Sequence, residues 1–537
     1  MEGEAFDPVV VTFACNWCGY PAARLTGVQN IDYPSGIKIV RVMCTGRVDP
    51  AMIMKAFEYG ADGVALVGCR MDECHFLEGN KKAKERVEAI KKILDYIGLD
   101  GGRLEAEWLA AAETKKFAKL TNDLVSKIKE LGPNPIPRIG EMGEEEAVFD
   151  KDAIDDIISS TSAHDCVECG KCTSVCPVAR FDEEFAPRRI VLRALEGVSD
   201  KLAEDKDIWS CITCEMCNAM CPYEVDYSEF IRRMRSEAVL LGGRHDSIIK
   251  ECPQGGMLQS MMRIMAYTEK QNRLSWIPED VRIQTTGDVF YFTGCLPHMD
   301  LVFRDRELDL TQTAVSAIKL LNHAGIEPVV SNNEVCCGHD LNWVGDEDSF
   351  ELLMNKNIEA IKESGAKTVV FTCPEGLRTF DIDYRDILGD LDFEVMHISE
   401  FLLELADEGD IDLSSDNSGT VTLHESCRLG RHLGIYDPPR ELLERAGIEI
   451  KEMENVRDKA ICCGVSSFVA CSESAQKMQL ERIMEAKRTE AETLLTVCPK
   501  CRIHLSCAIS KEIPCDRELV DIPIEDYTVY LARHLNL

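Results

Sequence analysis

The sequence predicts a multidomain α/β protein in which a small α/β domain, a mostly helical module and a duplicated α/β module follow one another. Near the N-terminus, the short β-branched runs Val9–Phe13, Ile37–Val42 and Gly63–Val67 are typical of buried parallel strands, and helical segments lie between them. Two dense cysteine runs with a helical segment between them occupy the middle. The last third contains one arrangement of strands and cysteines twice, roughly 130 residues apart.

The predicted boundaries follow these changes of pattern. The small domain covers residues 1–135, and a Pro-containing, acid-rich linker covers 136–156. The helical module covers 157–280. The two copies of the repeat cover 285–405 and 419–537.

Length and composition restrict the classes of function. The 537 residues include 26 cysteines and carry a formal net charge of −34, which argues against nucleic-acid binding. No apolar run approaches the roughly 20 residues of a membrane helix, and the acidic N-terminus does not resemble a signal peptide. We therefore expect a cytoplasmic protein with no direct membrane span. Because cytosolic thiols stay reduced, its cysteines should be metal ligands rather than disulfides.

Each N-terminal strand leads into a cysteine, and two more cysteines follow a few residues later. The five are Cys15, Cys18, Cys44, Cys69 and Cys74. Because ligands gather at the carboxyl ends of parallel strands, these thiols should converge on a 2Fe-2S or zinc site rather than be inert core residues.

The same residues carry a family resemblance. The motifs Phe13-Ala-Cys15-Asn-Trp-Cys18 and Gly68-Cys69-Arg-Met-Asp-Glu-Cys74-His75 resemble the delta subunit of methyl-viologen-reducing hydrogenase. The resemblance extends to Gly132-Pro133. It implies one 2Fe-2S cluster, held by four of the five cysteines, that passes electrons to a heterodisulfide reductase.

The central cysteines form the pattern C-x2-C-x2-C-x3-C-P twice, which binds two cubane 4Fe-4S clusters in bacterial-type ferredoxins. In such proteins the fourth cysteine of each run ligates the other cluster. The first predicted ligand set is therefore Cys166, Cys169, Cys172 and Cys221. The second is Cys211, Cys214, Cys217 and Cys176. A pair of zinc knuckles is the alternative, but two complete four-cysteine runs favour clusters. With its helical stretch at 187–196, the module resembles the C subunit of heterodisulfide reductase.

The second copy of the repeat has five cysteines, one more than a four-iron cube requires. They are Cys427, Cys462, Cys463, Cys498 and Cys501. The adjacent pair Cys462-Cys463 cannot form a ferredoxin-type loop. The copy resembles the cysteine-rich module of the B subunit of heterodisulfide reductase, which implies a noncubane 4Fe-4S cluster and cleavage of the coenzyme M–coenzyme B disulfide.

The first copy departs from that pattern, because Gly376 stands where the last cysteine belongs. Its remaining cysteines are Cys295, Cys336, Cys337 and Cys373. Four thiolates suffice for a cube or a more open noncubane cluster, and the alternative is a degenerate copy without a cluster. Of the nearby histidines His298, His339, His424, His432 and His504, we favour His339 and His424, with the nine repeat cysteines, as catalytic residues. Disulfide reduction consumes two protons, although a histidine beside a cluster can also simply hydrogen-bond to sulfur.

The order of these modules indicates an electron-transfer chain that ends in the repeat. No Gly-rich dinucleotide fingerprint follows a strand, so we expect no flavin in this chain. By resemblance, the chain is a fusion that works with a flavin-containing A-like subunit and a hydrogenase or formate dehydrogenase-like donor. The leading hypothesis is an oxidoreductase subunit of an electron-bifurcating complex that reduces the coenzyme M–coenzyme B disulfide. The alternatives are an electron-transfer subunit with another donor or acceptor, because of Gly376, and a zinc-bound scaffold without redox function.

Overall fold

The computed structural model describes most of the chain, namely residues 6–137, 150–197, 204–243, 256–269, 271–415, 417–464, 472–510 and 520–537. Most of the predicted linker, 138–149, lies outside these ranges. The chain divides into two compact units, Met1–Glu146 with Gly256–Arg273, and Ala147–Gly255 with Leu274–Leu537. Parallel sheets with intervening helices confirm the predicted mixed α/β, multidomain class. None of the described helices combines the length and apolar composition that crossing a membrane requires.

The first unit is built on a parallel sheet with the strand order β2-β1-β3-β4. Its strands are β1 Val10–Cys15, β2 Ile37–Val42, β3 Gly63–Cys69 and β4 Leu104–Leu109. Its helices along this stretch are α1 Gly19–Val28, α2 Pro50–Glu58, α3 Gly79–Tyr96 and α4 Thr114–Leu131. Strand β3 is buried along its whole length, as its central place requires. The strand β4 is absent from the sequence prediction, because its two glutamates interrupt the apolar run.

The second unit begins with a helical module. Its helices are α5 Lys151–Ser160, α6 Lys171–Val175, α7 Pro187–Leu195, α8 Lys206–Ser210, α9 Met216–Met220 and α10 Tyr227–Leu240. Helix α5 starts inside the predicted linker, where the Asp150 carboxylate accepts hydrogen bonds from two backbone amides of the first turn. The short helices α6 and α9 each occupy the last part of a cysteine run. Because these two helices contact each other, the two cysteine runs lie side by side.

A later helix belongs to the first unit although the sequence places it in the 157–280 module. This helix, α11 Met257–Tyr267, carries the buried residues Met257, Met261, Met262 and Met265. Ser260 Oγ donates to the Glu58 carboxylate on α2, and Arg263 lies 3.0 Å from the same carboxylate. Thr268 Oγ1 donates to Ile97 O at 2.6 Å. Because of these contacts with distant parts of the chain, α11 packs in the first unit and not with its neighbours in sequence.

The two copies of the repeat have the same sheet topology. In the second copy the order is β11-β10-β8-β9, all parallel. In the first copy it is β5-β6-β7, and an isolated parallel bridge between Phe290 and Val329 stands in the place of β9. The strands are β5 Val289–Phe292, β6 Thr368–Phe371, β7 Glu394–His397, β8 Thr420–His424, β9 Glu449–Ile450, β10 Thr493–Thr496 and β11 Ile524–Asp526.

Helices connect these strands. In the first copy they are α12 Leu296–Val302, α13 Thr311–His323, α14 His339–Trp343, α15 Glu347–Ser364, α16 Pro374–Arg378, α17 Arg385–Leu388 and α18 Ile398–Glu408. In the second they are α19 Pro438–Arg445, α20 Glu473–Arg488, α21 Pro499–Ser510 and α22 Tyr527–His534. The cysteines of both copies lie at the carboxyl ends of strands or in the loops beside them, where parallel α/β sheets hold ligands.

Candidate metal centres

The five N-terminal cysteines gather at the carboxyl ends of β1 and β3 and in the loops beside them. The sulfurs of Cys15 and Cys69 are 3.7 Å apart, and Cys18 shares a hydrogen bond with Cys69. Cys44 and Cys74 form a second hydrogen-bonded pair. A Cβ on Gly79 would lie 2.2 Å from Cys44 Sγ, so only glycine leaves room for the thiol there. The structure therefore brings together all five predicted residues.

The electrostatics of these thiols fit a metal centre. Burial raises the pKa of Cys69, and the neighbouring Cys15 and Cys18 add to this effect. The sulfur separation of 3.7 Å is far longer than a disulfide bond. Several thiols packed together cannot all ionise without a positive charge among them, and a metal ion supplies that charge.

The helical module arranges its eight cysteines as two neighbouring groups. One cavity is lined by Cys166, Cys169, Cys172 and Cys221 and also by Cys217. In the other group, the Cys211, Cys214 and Cys176 sulfurs lie near Cys217 and raise its pKa beyond the effect of burial. The loops between ligands turn tightly, with φ of 56° at Glu168 and 45° at Thr213. The structure thus brings all eight thiols together within one module, and their crossed division into two ligand sets stays a prediction.

The second copy of the repeat gathers five thiols. The Cys462 and Cys427 sulfurs are 4.0 Å apart, Cys501 and Cys463 are 3.3 Å apart, and Cys498 is hydrogen-bonded to Cys501. Hydrogen bonds from Cys462 and Cys501 lower the pKa of Cys463 to about 6. Hydrogen bonds to Cys373 and Cys501 likewise lower the pKa of Cys498, so the surroundings of these two thiols favour the thiolate, the form that binds metal.

The first copy gathers four thiols. It has Gly376 at the position where the second copy has its fifth thiol, Cys501. The sulfurs of Cys295 and Cys336 are 3.2 Å apart. A Cβ on Gly376 would lie 3.2 Å from Cδ1 of Phe371. That ring packs against Phe292 and Phe380, with centroids 5.2 and 5.0 Å away. An aromatic wall therefore stands where a fifth thiol would be.

The two copies meet through equivalent residues. Cys373 of the first copy is hydrogen-bonded to Cys498, which holds the same place in the second, and this bond together with burial raises the pKa of Cys373. Two positions later, Glu375 forms an ion pair with its own equivalent, Lys500. Contact between like positions means that the copies are related by a local two-fold axis that passes between these pairs.

The Lys500 ammonium group is buried in a network of charges beside both thiol groups. Its Nζ lies 2.5 Å from Asp340 Oδ1, and His339 Nδ1 lies 2.9 Å from the same oxygen and 3.3 Å from Glu375 Oε2. Burial raises the pKa of Glu375 to about 7 although the charge of Lys500 opposes it. The side chains of His339, Asp340 and Glu375 lie close enough together to hold a metal ion. In this structure the ammonium group of Lys500 supplies the positive charge beside them.

Arg428 joins the repeat to the helical module. Directly after Cys427, it donates from Nε to His339 Nε2 at 3.0 Å and from its terminal nitrogen to Thr213 Oγ1 at 2.8 Å. Its guanidinium lies 4.3 Å from the ring centre of Trp343. Three cysteine motifs distant in sequence therefore share one buried cation. Sequence reasoning missed Arg428 and Lys500, although the charge reversal between Glu375 and Lys500 at equivalent positions was a usable signal.

The favoured histidines lie at these centres as neutral groups. His339 joins the charge network, and burial followed by the nearby Arg482 lowers the pKa of His424 to about 3. His504 Nδ1 lies 3.4 Å from Cys463 Sγ. His432 contacts Glu215 at 2.9 Å, and His298 is fully buried in α12. His504 therefore contacts a thiol directly, although it is not one of the two favoured residues.

Comparisons with known proteins match three parts of the chain to family models. Residues 10–132 match the methyl-viologen-reducing hydrogenase delta subunit, 162–225 a 4Fe-4S dicluster domain, and 289–381 and 421–506 a cysteine-rich domain. The three domains are those expected from the resemblances in sequence.

Individual relatives agree with these matches. The chain is 34% identical over 277 residues to the D subunit of the dihydromethanophenazine:CoB–CoM heterodisulfide reductase of Methanosarcina acetivorans, covering 50% of this chain and 64% of that protein. It is 45% identical over 130 residues to the D iron–sulfur subunit of an F420-non-reducing hydrogenase of Methanococcus voltae, covering 24% of this chain and 90% of that protein. The chain thus spans less than two thirds of the curated reductase relative.

Proposed function

Since the chain belongs, through residues 10–132, to the family of the methyl-viologen-reducing hydrogenase delta subunit, we propose that it is an iron–sulfur subunit of a heterodisulfide-reductase-type electron-bifurcating complex. A 2Fe-2S cluster held by four of the five N-terminal cysteines would be one of its redox centres. Two cubane 4Fe-4S clusters would occupy the helical module. A noncubane 4Fe-4S cluster would occupy the second copy and an altered one the first. When bound, these groups supply one-electron storage and transfer.

The observation that carries the proposal is the continuity of thiol groups through the second unit. Cys214 lies close enough to Cys427 and Cys462 for their charges to interact, and Arg431 donates to Cys214 O at 2.6 Å. Cys498 then contacts Cys373 across the local two-fold axis. Electrons entering at the helical module would therefore meet the second copy before the first.

The substrate would be a disulfide, and the coenzyme M–coenzyme B disulfide is our first choice because the reductase relative is named for it. Reduction takes two electrons and two protons and releases two thiols. Lys500 and Arg428 would stabilise negative charge on sulfur in this buried region, while the surrounding wall of Trp343, Phe371 and Phe380 excludes water. His424 would orient a hydrogen bond toward the sulfurs, whereas His339, which is engaged by Arg428 at Nε2 and by Asp340 at Nδ1, would hold these two charged groups in place.

The proposed partners follow from the relatives. A flavin-containing A-like subunit would exchange electrons with this chain, since a segment of the A subunit of a CoB–CoM heterodisulfide reductase is 46% identical to it over 126 residues. A hydrogenase or formate dehydrogenase-like protein would be the donor. A second candidate function is electron transfer to a different acceptor. The aromatic wall at Gly376 favours it, because the thiol group of the first copy then differs from that of the second copy.

The test is electron paramagnetic resonance on anaerobically purified protein that is oxidised with coenzyme M or, separately, coenzyme B. We expect about 14 to 18 irons per chain and a new paramagnetic state with one of the thiols. Reducible signals that respond to neither thiol would favour the second function. Zinc in place of iron would instead indicate a scaffold without redox function.

A further inference from the structure

His424 is a buried residue with one ring nitrogen that accepts a hydrogen bond within the fold and a second whose role the fold leaves open. The residue ends strand β8 and is fully buried. Its Nδ1 lies 3.2 Å from Arg482 Nε, whereas its Nε2 has no hydrogen-bond partner among the described residues. One ring nitrogen of His424 and the sulfurs of Cys463 and Cys501 all lie within 4.8 Å of one another.

The partner at Nδ1 determines which nitrogen carries hydrogen. An arginine Nε–H can only donate, so Nδ1 must accept, and the neutral imidazole then carries its hydrogen on Nε2. Arg482 cannot turn away, because it donates to Glu485 Oε2 at 2.8 Å and to Asn455 O at 2.9 Å. Glu485 is itself held by the Asn455 side chain at 3.0 Å. The buried row of Glu485, Arg482 and His424 therefore fixes an N–H that points away from Arg482.

We propose that His424 is a positioning residue that donates an Nε2–H···S hydrogen bond to the metal centre of the second copy and makes that centre easier to reduce. The proposal rests on the proposed function, namely on an iron–sulfur cluster held by this copy. A hydrogen bond to a thiolate or sulfide withdraws negative charge from sulfur, so it favours the reduced state of the cluster. The buried and otherwise unpaired N–H also gains the partner that its burial demands.

The first copy provides a natural reference. Phe292 ends strand β5 at the position that His424 holds on β8, and its ring packs on Phe371 and Phe380. A phenyl ring offers no N–H donor to sulfur. The two centres of one chain therefore differ in this hydrogen bond, and each variant carries an internal control.

The experiment compares His424→Gln, His424→Asn and His424→Leu in the full chain. Glutamine places an amide N–H near the former Nε2, whereas asparagine reaches only as far as Nδ1 and leucine offers no donor. Potentiometric titration followed by electron paramagnetic resonance measures the midpoint potential of each copy. Electron–nuclear double resonance detects an exchangeable proton coupled to the second centre.

We expect H424N and H424L to shift the second midpoint to more negative potential and to lose the coupled proton. H424Q should retain most of both, and the first-copy midpoint should stay constant in all three. R482M, which releases the ring, should reproduce part of the shift. An unchanged second midpoint and proton coupling in H424N and H424L would overturn the assignment of His424 alone. A wild-type second copy without iron would overturn both this inference and the proposed function.

Discussion

The two copies of the repeat share a backbone plan and differ at one corner of the metal centre. Equivalent strands present Cys295 and Cys427, and equivalent turns present the paired cysteines. The corner differs at four positions together. These are Phe292, Phe371, Gly376 and Thr379 in the first copy, and His424, Thr496, Cys501 and His504 in the second.

The difference shows that the fifth thiol and the polar side chains around it are present together in the second copy and replaced together in the first. If Cys501 were lost alone, His424 would lose one of the two thiols beside it, and a buried N–H left unpaired costs about 1–3 kcal/mol. In the first copy, phenyl rings fill that volume and require no partner. Gly376 therefore belongs to a mainly aromatic corner rather than a gap, while the four remaining thiols keep their places.

The largest expected effect comes from removing one thiol from each copy. Cys337→Ser leaves three thiols in the first copy, so we expect that centre to lose its cluster, about four irons per chain. Cys501→Ser leaves four thiols in the second copy, enough for a cluster of altered type. Iron analysis and Mössbauer spectra check both variants. Equal iron loss in the two would contradict the view that the second copy has a ligand to spare.

Lys500 should be the most important residue for joining the copies. Lys500→Met leaves Asp340 and Glu375 buried without their cation, which should destabilise the second unit by about 3–5 kcal/mol. The shift of the urea unfolding midpoint measures this effect. As a matched control, Lys367→Met removes the exposed ion pair with Asp288 and should leave the midpoint unchanged. Similar midpoints for the two variants would argue against a buried charge network.

Gly376→Cys tests whether the apolar corner blocks a fifth ligand. The new side chain would press on Phe371, whose Cδ1 would lie 3.2 Å from the added Cβ, and we expect a loss of about 1–3 kcal/mol. Adding Phe371→Thr, the residue of the second copy, removes the close contact but also the packing of the ring on Phe292 and Phe380, so we expect the double variant to be less stable than the single one. The double variant should also move the first-copy resonance signal toward that of the second. If Gly376→Cys were as stable as the wild type, the Phe371 ring would have to move aside at little cost.

The smallest expected effect concerns equivalent helix caps. His397 is the N-cap residue that precedes α18 in the first copy, and Asp526 is the N-cap residue that precedes α22 in the second. Burial raises the pKa of Asp526, so the folded state holds this proton more tightly than the unfolded state. Stability should therefore fall as pH rises from the ordinary aspartate pKa, about 3.9, through the raised folded value.

Asp526→Asn keeps the oxygen that accepts from Thr528 N at 2.9 Å but cannot ionise. The variant should differ from wild type by less than about 1 kcal/mol and lose this part of the pH dependence. Urea midpoints measured across acidic pH check it. An identical pH profile in both proteins would show that Asp526 does not titrate differently on folding.

The sequence predicts the positions of the thiols well because their chemistry is tied to local pattern. Strand ends, adjacent cysteines and C-x2-C turns are read over a few residues, and the fold brings these segments together at sheet edges. The charge network is different. Arg428 reaches Thr213, and Lys500 reaches Asp340, across long stretches of chain that no spacing rule covers. Helix α11 likewise follows contacts with Glu58 and Ile97 rather than its place in the sequence.

The opposite charges of Glu375 and Lys500 have a consequence for recognition between chain segments. Two first-copy halves brought together around the same axis would bury carboxylate against carboxylate, and two second-copy halves would bury ammonium against ammonium. Like charges in a low-dielectric interior repel strongly, so either self-association is penalised. Only the mixed pairing is neutral. The ion pair thus favours association of a first copy with a second copy over association of two identical copies, even if the two were produced as separate polypeptides.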